Sequence, residues 1–227
     1  MTTHAAQESS PTILIIIPAY NESKGIAALL ESLHHQNPAW DIVVINDGSK
    51  DHTGEAAEAT GLAFVVNLPC NLGIGGAVQT GFKFAQRYGY DLAVQCDGDG
   101  QHLAQEIPKL LTPILAREAD VVIGSRFCEA HDGWKSTWGR RVGIKVFEVV
   151  NTLLIQQRIT DNTSGFRAYN QKAIHFLADH YPQDYPEPEA VVVLGRHGFR
   201  MREVSVAMQA RQHGSSSISE FKSLYYM

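Results

Sequence analysis

Leu92-Ala93-Val94-Gln95-Cys96-Asp97-Gly98-Asp99 is an apolar run that ends in two carboxylates one residue apart. The run reads as a strand buried on both faces, and Asp-Gly-Asp as the turn that ends it. Two upstream stretches follow the same pattern. Ile13-Leu14-Ile15-Ile16-Ile17 leads into Pro18-Ala19-Tyr20-Asn21-Glu22, and Ile42-Val43-Val44-Ile45 leads into Asp47-Gly48-Ser49. In open parallel sheets, ligands bind beyond the carboxyl ends of the strands. Three polar clusters at three strand ends therefore describe one crevice. Oxygen-only donors there suit Mg²⁺ or Mn²⁺, ions that usually arrive with substrate phosphates.

Between these strands the apolar period changes. Ser23 is placed to cap a helix whose Ile26, Leu29, Leu30 and Leu33 share one face, and Asn37-Pro38 stops it. Further helices are expected over about Thr53 to Ala59, Gly75 to Tyr88 and Gln105 to Ala116, with strands at Ala63 to Val66 and Val121 to Ile123. This alternation predicts an α/β fold with a single doubly wound, mostly parallel sheet flanked by helices. The second half is less regular. Lys135 to Ile155 reads as mostly helical, Asp161 to Asn170 as a loop feeding a strand, and Gln171 to His180 as a helix. Tyr185-Pro186-Glu187-Pro188-Glu189 is interrupted by proline, with a helix beginning near Pro188. Phe199 to Met208 alternates as a strand does.

With 227 residues and 44% hydrophobic content, the chain can bury one large core. A net charge of −5 argues against a general nucleic-acid partner. Cys70, Cys96 and Cys128 are odd in number and widely spaced, which fits a reduced, cytoplasmic compartment. No apolar run approaches the ~20 residues of a membrane span. Residues 1–11 lack the pattern of a secretory signal and read as a disordered leader. The main domain is expected over 12–217, followed by an amphipathic segment over 218–227. There Ile218, Phe221, Leu224 and Tyr225 share a helix face that could pack on the domain, lie on a bilayer surface or mediate self-association. Gly73-Ile74-Gly75-Gly76 does not make a dinucleotide fingerprint: the third glycine would fall at Val78, and no strand ends just before Gly73.

In order along the chain, Pro18-Ala19-Tyr20-Asn21-Glu22, Asn46-Asp47-Gly48-Ser49, Asn71-x-Gly73 with Gly81, Asp97-Gly98-Asp99-Gly100-Gln101-His102 and Gly124-Ser125-Arg126-Phe127 resemble the family 2 glycosyltransferases of the GT-A fold. Thr163-Ser164-Gly165-Phe166-Arg167 and Arg211-x-x-Gly214-x-Ser216 are similar to the dolichol- or polyprenyl-phosphate sugar transferase branch. The resemblance implies roles. Pro18, Tyr20, Glu22, Asp47, Asn71 and Asp97 would hold the nucleotide of a nucleotide sugar, a UDP-sugar by first expectation. Asp99, with Gln101 as second ligand, would hold the metal. Arg211 would reach the diphosphate from a small, polar, closing segment. Arg126, Arg140, Ser164 and Arg167 would form the acceptor side, guanidinium groups suiting phosphate oxygens better than lysine does.

Other readings stay open for several of these residues. Glu22 could simply be a carboxylate favoured at a helix start, Arg211 a solvated arginine, and His102 either a surface histidine or a neighbour of the metal. A hydroxyl acceptor needs a general base, for which Glu187 and Glu189 are the candidates. An ionised phosphate acceptor needs none, and Glu189 could instead order the acceptor loop or pair with an arginine. The expected activity is metal-dependent, inverting transfer of a sugar to a polyprenyl phosphate at the inner face of the cytoplasmic membrane. Transfer to a hydroxyl of a growing cell-surface glycan is the alternative. A sugar-phosphate nucleotidyltransferase and a non-catalytic nucleotide-sugar binding protein are the rival classes.

Overall fold

The computed structural model describes residues 10–126, 157 and 159–209. The expected helix at Lys135 to Ile155, most of the leader, the segment 218–227, Cys128, Arg140, Arg141 and Arg211 lie outside these residues.

Strand β1 (Ile13–Ala19) is followed by α1 (Ile26–Gln36), β2 (Asp41–Asn46), α2 (Thr53–Ala59), β3 (Phe64–Asn67), α3 (Gly73–Tyr88) and β4 (Leu92–Gln95). A 3₁₀ turn (Ala104–Glu106) leads to α4 (Ile107–Leu115) and β5 (Val121–Ser125). Then come β6 (Arg167–Asn170), α5 (Gln171–His180), α6 (Pro186–Arg196) and β7 (Met201–Ser205). The strands form one sheet in the order β3-β2-β1-β4-β6-β5-β7. Strand β6 runs antiparallel to both β4 and β5, while the other pairings are parallel. The sheet is thus mostly parallel, with one reversed strand inserted at its centre.

The β-branched runs form strands because both faces of the sheet are covered. Leu14, Ile16, Val43 and Ile45 point into a core shared with Ala77, Val78 and Phe82 of α3, Leu177 of α5 and Leu194 of α6. Their neighbours Ile15, Ile17, Ile42 and Val44 point to the opposite core, with Leu30 and Leu33 of α1 and Leu110 of α4. Such alternation follows from the two-residue period of a strand.

Element boundaries shift from expectation for identifiable reasons. Helix α1 starts at Ile26 with Gly25 as its N-cap, not Ser23. The backbone N–H of Ser23 donates instead to Asp51, and the Glu22 carbonyl accepts from both Gly25 and Ile26. Helix α6 begins at Pro186 rather than Pro188, because a proline at the first helical residue lacks only an N–H that has no helical partner anyway. The Phe199 to Met208 stretch is a strand only over Met201–Ser205, with Met208 adding an isolated antiparallel bridge to His102. No helix among the described residues is long and apolar enough to cross a membrane.

Helix α3 lies unusually close to β1. A Cβ at Gly81 would fall 2.2 Å from Cγ2 of Ile16, inside the core. Gly81→Ala is expected to cost about 1–3 kcal/mol through overpacking, read as a lowered midpoint in urea unfolding.

Candidate active site

The carboxyl ends of β1, β2 and β4 lie side by side, since β2 and β4 flank β1. Hydrogen bonds tie the first two ends together. Asn21, with φ at 58°, accepts from Lys50 N–H at 2.8 Å and donates its own N–H to Ser49 at 3.0 Å. Glu22 N–H donates to Thr53 Oγ1 at 2.9 Å. Asp47 is buried, and its Oδ1 accepts from Leu72 N–H at 2.7 Å, which fixes the start of α3 against β2. Asn71 donates to the Asp47 carbonyl at 3.1 Å. Burial pushes the Asp47 carboxyl above its ordinary value, and the N–H groups of Leu72 and Gly73 partly offset that. Pro18 is buried beside these groups, Tyr20 is exposed and Glu22 half-buried. All six residues assigned to the nucleotide thus stand on the adjoining ends of β1, β2 and β4 or on the turn into α3.

At the end of β4, Asp97 and Asp99 are both half-buried on one turn. Asp99 Oδ1 accepts from Gln101 N–H at 3.0 Å. The Gln101 side chain leans toward the Gln209 carbonyl, 3.4 Å from its Nε2. Cys96, directly beneath, has its thiol pushed well up, first by burial and then by the charges of Asp97 and Asp99. Both charges therefore act on one small volume. The donor set is hard and oxygen-rich, as Mg²⁺ and Mn²⁺ require. Among the described residues no group of three His, Cys, Asp or Glu side chains could hold a metal.

The Ser164–Arg167 stretch lies behind this turn. A Cβ at Gly165 would fall 2.9 Å from Asp97 Oδ1 and 3.1 Å from Oδ2, so only glycine leaves the carboxylate its place. The Ser164 hydroxyl donates to the Gly124 carbonyl at 2.7 Å. Arg167 is wholly buried and donates to the carbonyls of Ser164, Asn162 and Glu187 at 2.7, 2.8 and 3.0 Å. Neither residue faces an open acceptor surface; both brace the interior, because β6 is inserted between β4 and β5. Among the described residues, the buried atoms Arg167 Nη1, Asn162 Oδ1 and Gln95 Nε2 near this brace find no hydrogen-bond partner.

Arg126, at the end of β5, grips Asp161 in a two-point ion pair at 2.9 and 2.8 Å and reaches Thr163 Oγ1 at 2.9 Å. Its side chain is 43% exposed while that of Asp161 is wholly buried. The hydrogen bond to Asp161 holds the guanidinium charged, and the Asp97 charge adds to this. No sequence feature singles out Asp161, which lies 35 residues from its partner. On α6, Glu189 is exposed. Glu187 is half-buried and senses both Arg167 and Asp97.

The profile described as Glycosyl transferase family 2 matches residues 14–177. The chain belongs to this family. A UDP-N-acetylglucosamine–dolichyl-phosphate N-acetylglucosaminyltransferase of Methanococcus voltae is 30% identical over 213 residues, covering 86% of this chain and 84% of that one. An undecaprenyl-phosphate mannosyltransferase of Micrococcus luteus is 31% identical over 216 residues, covering 91% and 87%. A polyprenol monophosphomannose synthase of Mycolicibacterium smegmatis is 34% identical over 166 residues, 71% of this chain and 62% of its own length. Among solved structures, glucosyl-3-phosphoglycerate synthase from Mycobacterium tuberculosis, in complex with Mn²⁺, uridine diphosphate and phosphoglyceric acid, matches with a TM-score of 0.70 at 20% identity. The match covers 95% of this chain and 74% of that one. The fold of this glycosyltransferase is therefore GT-A.

Two tests follow from the packing at the site. Gly165→Ala would force the Asp97 carboxylate to turn; it is expected to leave the unfolding temperature nearly unchanged while lowering sugar transfer by about a hundredfold. Glu187 supplies the second. Burial raises its carboxyl above the ordinary value, with Arg167 pulling the other way and Asp97 adding to the rise. The folded chain holds this proton more tightly than the unfolded chain. The stability it contributes is full below the ordinary glutamate value and is lost as pH rises through the elevated one. Glu187→Gln is expected to raise the thermal unfolding temperature at about pH 7.5 and to change little at about pH 4.

Proposed function

We propose that this enzyme transfers a sugar from a nucleoside diphosphate donor to a polyprenyl phosphate, in one inverting displacement, with Mg²⁺ or Mn²⁺. The observation that carries the acceptor class is the likeness to relatives named for dolichyl- and undecaprenyl-phosphate transfer, over 84% and 87% of their own lengths. The structure of a GT-A relative with Mn²⁺ and uridine diphosphate supports the metal and makes uridine the first base to try.

The proposed division of labour follows the three strand ends. Pro18, Tyr20, Glu22, Asp47 and Asn71 hold the nucleoside, the carboxylates accepting from base N–H or ribose hydroxyl groups in charge-assisted bonds. Asp99, with Asp97 beside it and Gln101 on the same turn, holds the divalent cation, which when bound offsets the charge gained by the departing diphosphate. Arg211 adds a guanidinium to the same charge. Arg126, already fixed by Asp161 and Thr163, faces the acceptor phosphate, with Arg140 as its partner. A phosphate monoester arrives ionised and attacks without surrendering a proton, so neither Glu187 nor Glu189 needs to serve as a base. A lipid acceptor puts the reaction at the inner face of the cytoplasmic membrane, with the enzyme as a peripheral visitor.

Full-length protein incubated with UDP-glucose, UDP-N-acetylglucosamine or GDP-mannose, a short polyprenyl phosphate in detergent and Mn²⁺ is expected to yield a sugar-phosphate lipid. Chelation should abolish the product, and Asp99→Ala should lower the rate by about a hundredfold or more. Product from a glycan hydroxyl acceptor but none from the polyprenyl phosphate would overturn the acceptor assignment. Pyrophosphate release from a nucleoside triphosphate and a sugar phosphate would instead identify a nucleotidyltransferase.

A further inference from the structure

His102 is buried, 5% exposed, although it ends a polar turn at the mouth of the site. Its Nδ1 accepts from the backbone N–H of Asp97 at 3.0 Å. A nitrogen that accepts from an N–H must present its lone pair, so the ring proton sits on Nε2. Nε2 lies 3.7 Å from Oδ2 of the same Asp97. One imidazole therefore faces both the backbone and the carboxylate of one residue. The ring itself is held in place. It stacks on Phe166 with centroids 4.6 Å apart and planes 10° from parallel. On the other side the His102 backbone bridges to Met208, and Gln209 crosses the turn, donating to the carbonyls of Gln101 at 3.0 Å and Gly100 at 2.6 Å.

We propose that His102 is the positioning residue of the acidic turn. Its ring closes the segment from Asp97 to His102 into a fixed loop, so that Asp97 and Asp99 present their oxygens together before a nucleotide arrives. Phe166 is the platform on which that ring rests. This inference depends on the functional reading above, in which the turn holds the cation and diphosphate. It assigns a purpose to Phe166 that acceptor binding did not supply: with Gly165 making room for the carboxylate, the stretch behind the turn shapes it from two adjacent residues.

The test separates the acceptor nitrogen from the bulk of the ring. His102→Phe keeps a flat side chain on Phe166 and loses both nitrogens. His102→Asn places an amide oxygen near the site of Nδ1, and His102→Gln places its amide near Nε2. Each full-length variant is titrated with Mn²⁺ by electron paramagnetic resonance, alone and with UDP or GDP, with circular dichroism reporting the fold. His102→Phe is expected to weaken Mn²⁺–nucleotide binding by about ten- to a hundredfold, the range typical of groups that orient metal ligands. His102→Asn should remain within about threefold of the wild type, and His102→Gln should resemble His102→Phe. If His102→Phe does not fold, the comparison of Asn with Gln decides alone. Equal binding by all variants and the wild type, or equal loss by Asn and Gln, would overturn the role of His102 and leave the functional reading standing. A wild-type protein that binds no Mn²⁺–nucleotide would overturn that reading and this inference with it.

Discussion

Two carboxylates one residue apart, at the end of a strand whose last side chain is wholly buried, are the constraint around which this rim is built. Carboxylates at the edge of a core lose solvation, and like charges held close together raise each other's energy. The surrounding structure holds both in place. The Asp97 backbone is bonded to His102, its carboxylate lies against Gly165, and Asp99 accepts from the Gln101 backbone. One cation answers that charge: Arg126 is held charged partly by Asp97, whereas the same charge pushes the Glu187 carboxyl up and Arg167 pulls it down. On the proposed reading, a turn held in this way meets its cation already in shape, which is how electrostatic sites avoid reorganisation during reaction.

The reversed strand β6 makes this possible. A wholly parallel sheet would put another parallel strand beside β4. Here Gln95 of β4 is paired in register with Arg167 of β6, so the residues just before Arg167 pass directly behind the acidic turn. The same loop carries Asp161 to Arg126 at the end of β5. Glu203 on β7 then anchors it, accepting from the N–H groups of Thr160 and Asp161 at 2.9 and 2.6 Å. Asp161 is wholly buried although Arg126 reaches solvent, so the two-point contact supplies the charge partner of a buried carboxylate and ties the loop to the end of β5. Four elements that are distant in sequence converge on one rim through a short list of polar contacts.

The first half of this architecture was legible because its signals are local. Ile13 to Ile17 and Ile42 to Ile45 read as doubly buried strands from β-branching alone, and the polar residues that follow mark the rim. Asp97 and Asp99, one residue apart, mark a turn at the end of β4, which is where the structure places them. What was illegible depends on pairing across long distances. Nothing in the spacing of Ser164 and Arg167 reveals that a reversed strand draws them inside, so arginine in a polar motif reads as a surface phosphate ligand when it is an internal brace. Asp161 carries no pattern of its own and matters only once Arg126 is beside it. The start of α1 differs for a related reason: Ser23 has the chemistry of a cap, but its side chain and its N–H both bond Asp51, 28 residues away. His102 could not be judged between surface and site until Phe166 was known to lie flat against it.

The two glutamates of α6 show how helix geometry narrows a choice that sequence leaves open. Residues two apart on a helix point about 200° from each other, so only one of Glu187 and Glu189 can face the interior. Glu189 points to solvent; Glu187 faces the buried arginine and the acidic turn. Its carbonyl accepts from Arg167, and its carboxyl lies within reach of both the Arg167 and Asp97 charges. Such a carboxylate is anchored from below and opposed from beside. The bond from Arg167 to the Glu187 carbonyl fixes the first turn of α6 as a wall against the buried brace. A hydroxyl acceptor would ask that wall to move a proton as well, whereas an acceptor that arrives already ionised asks only that the wall hold its shape.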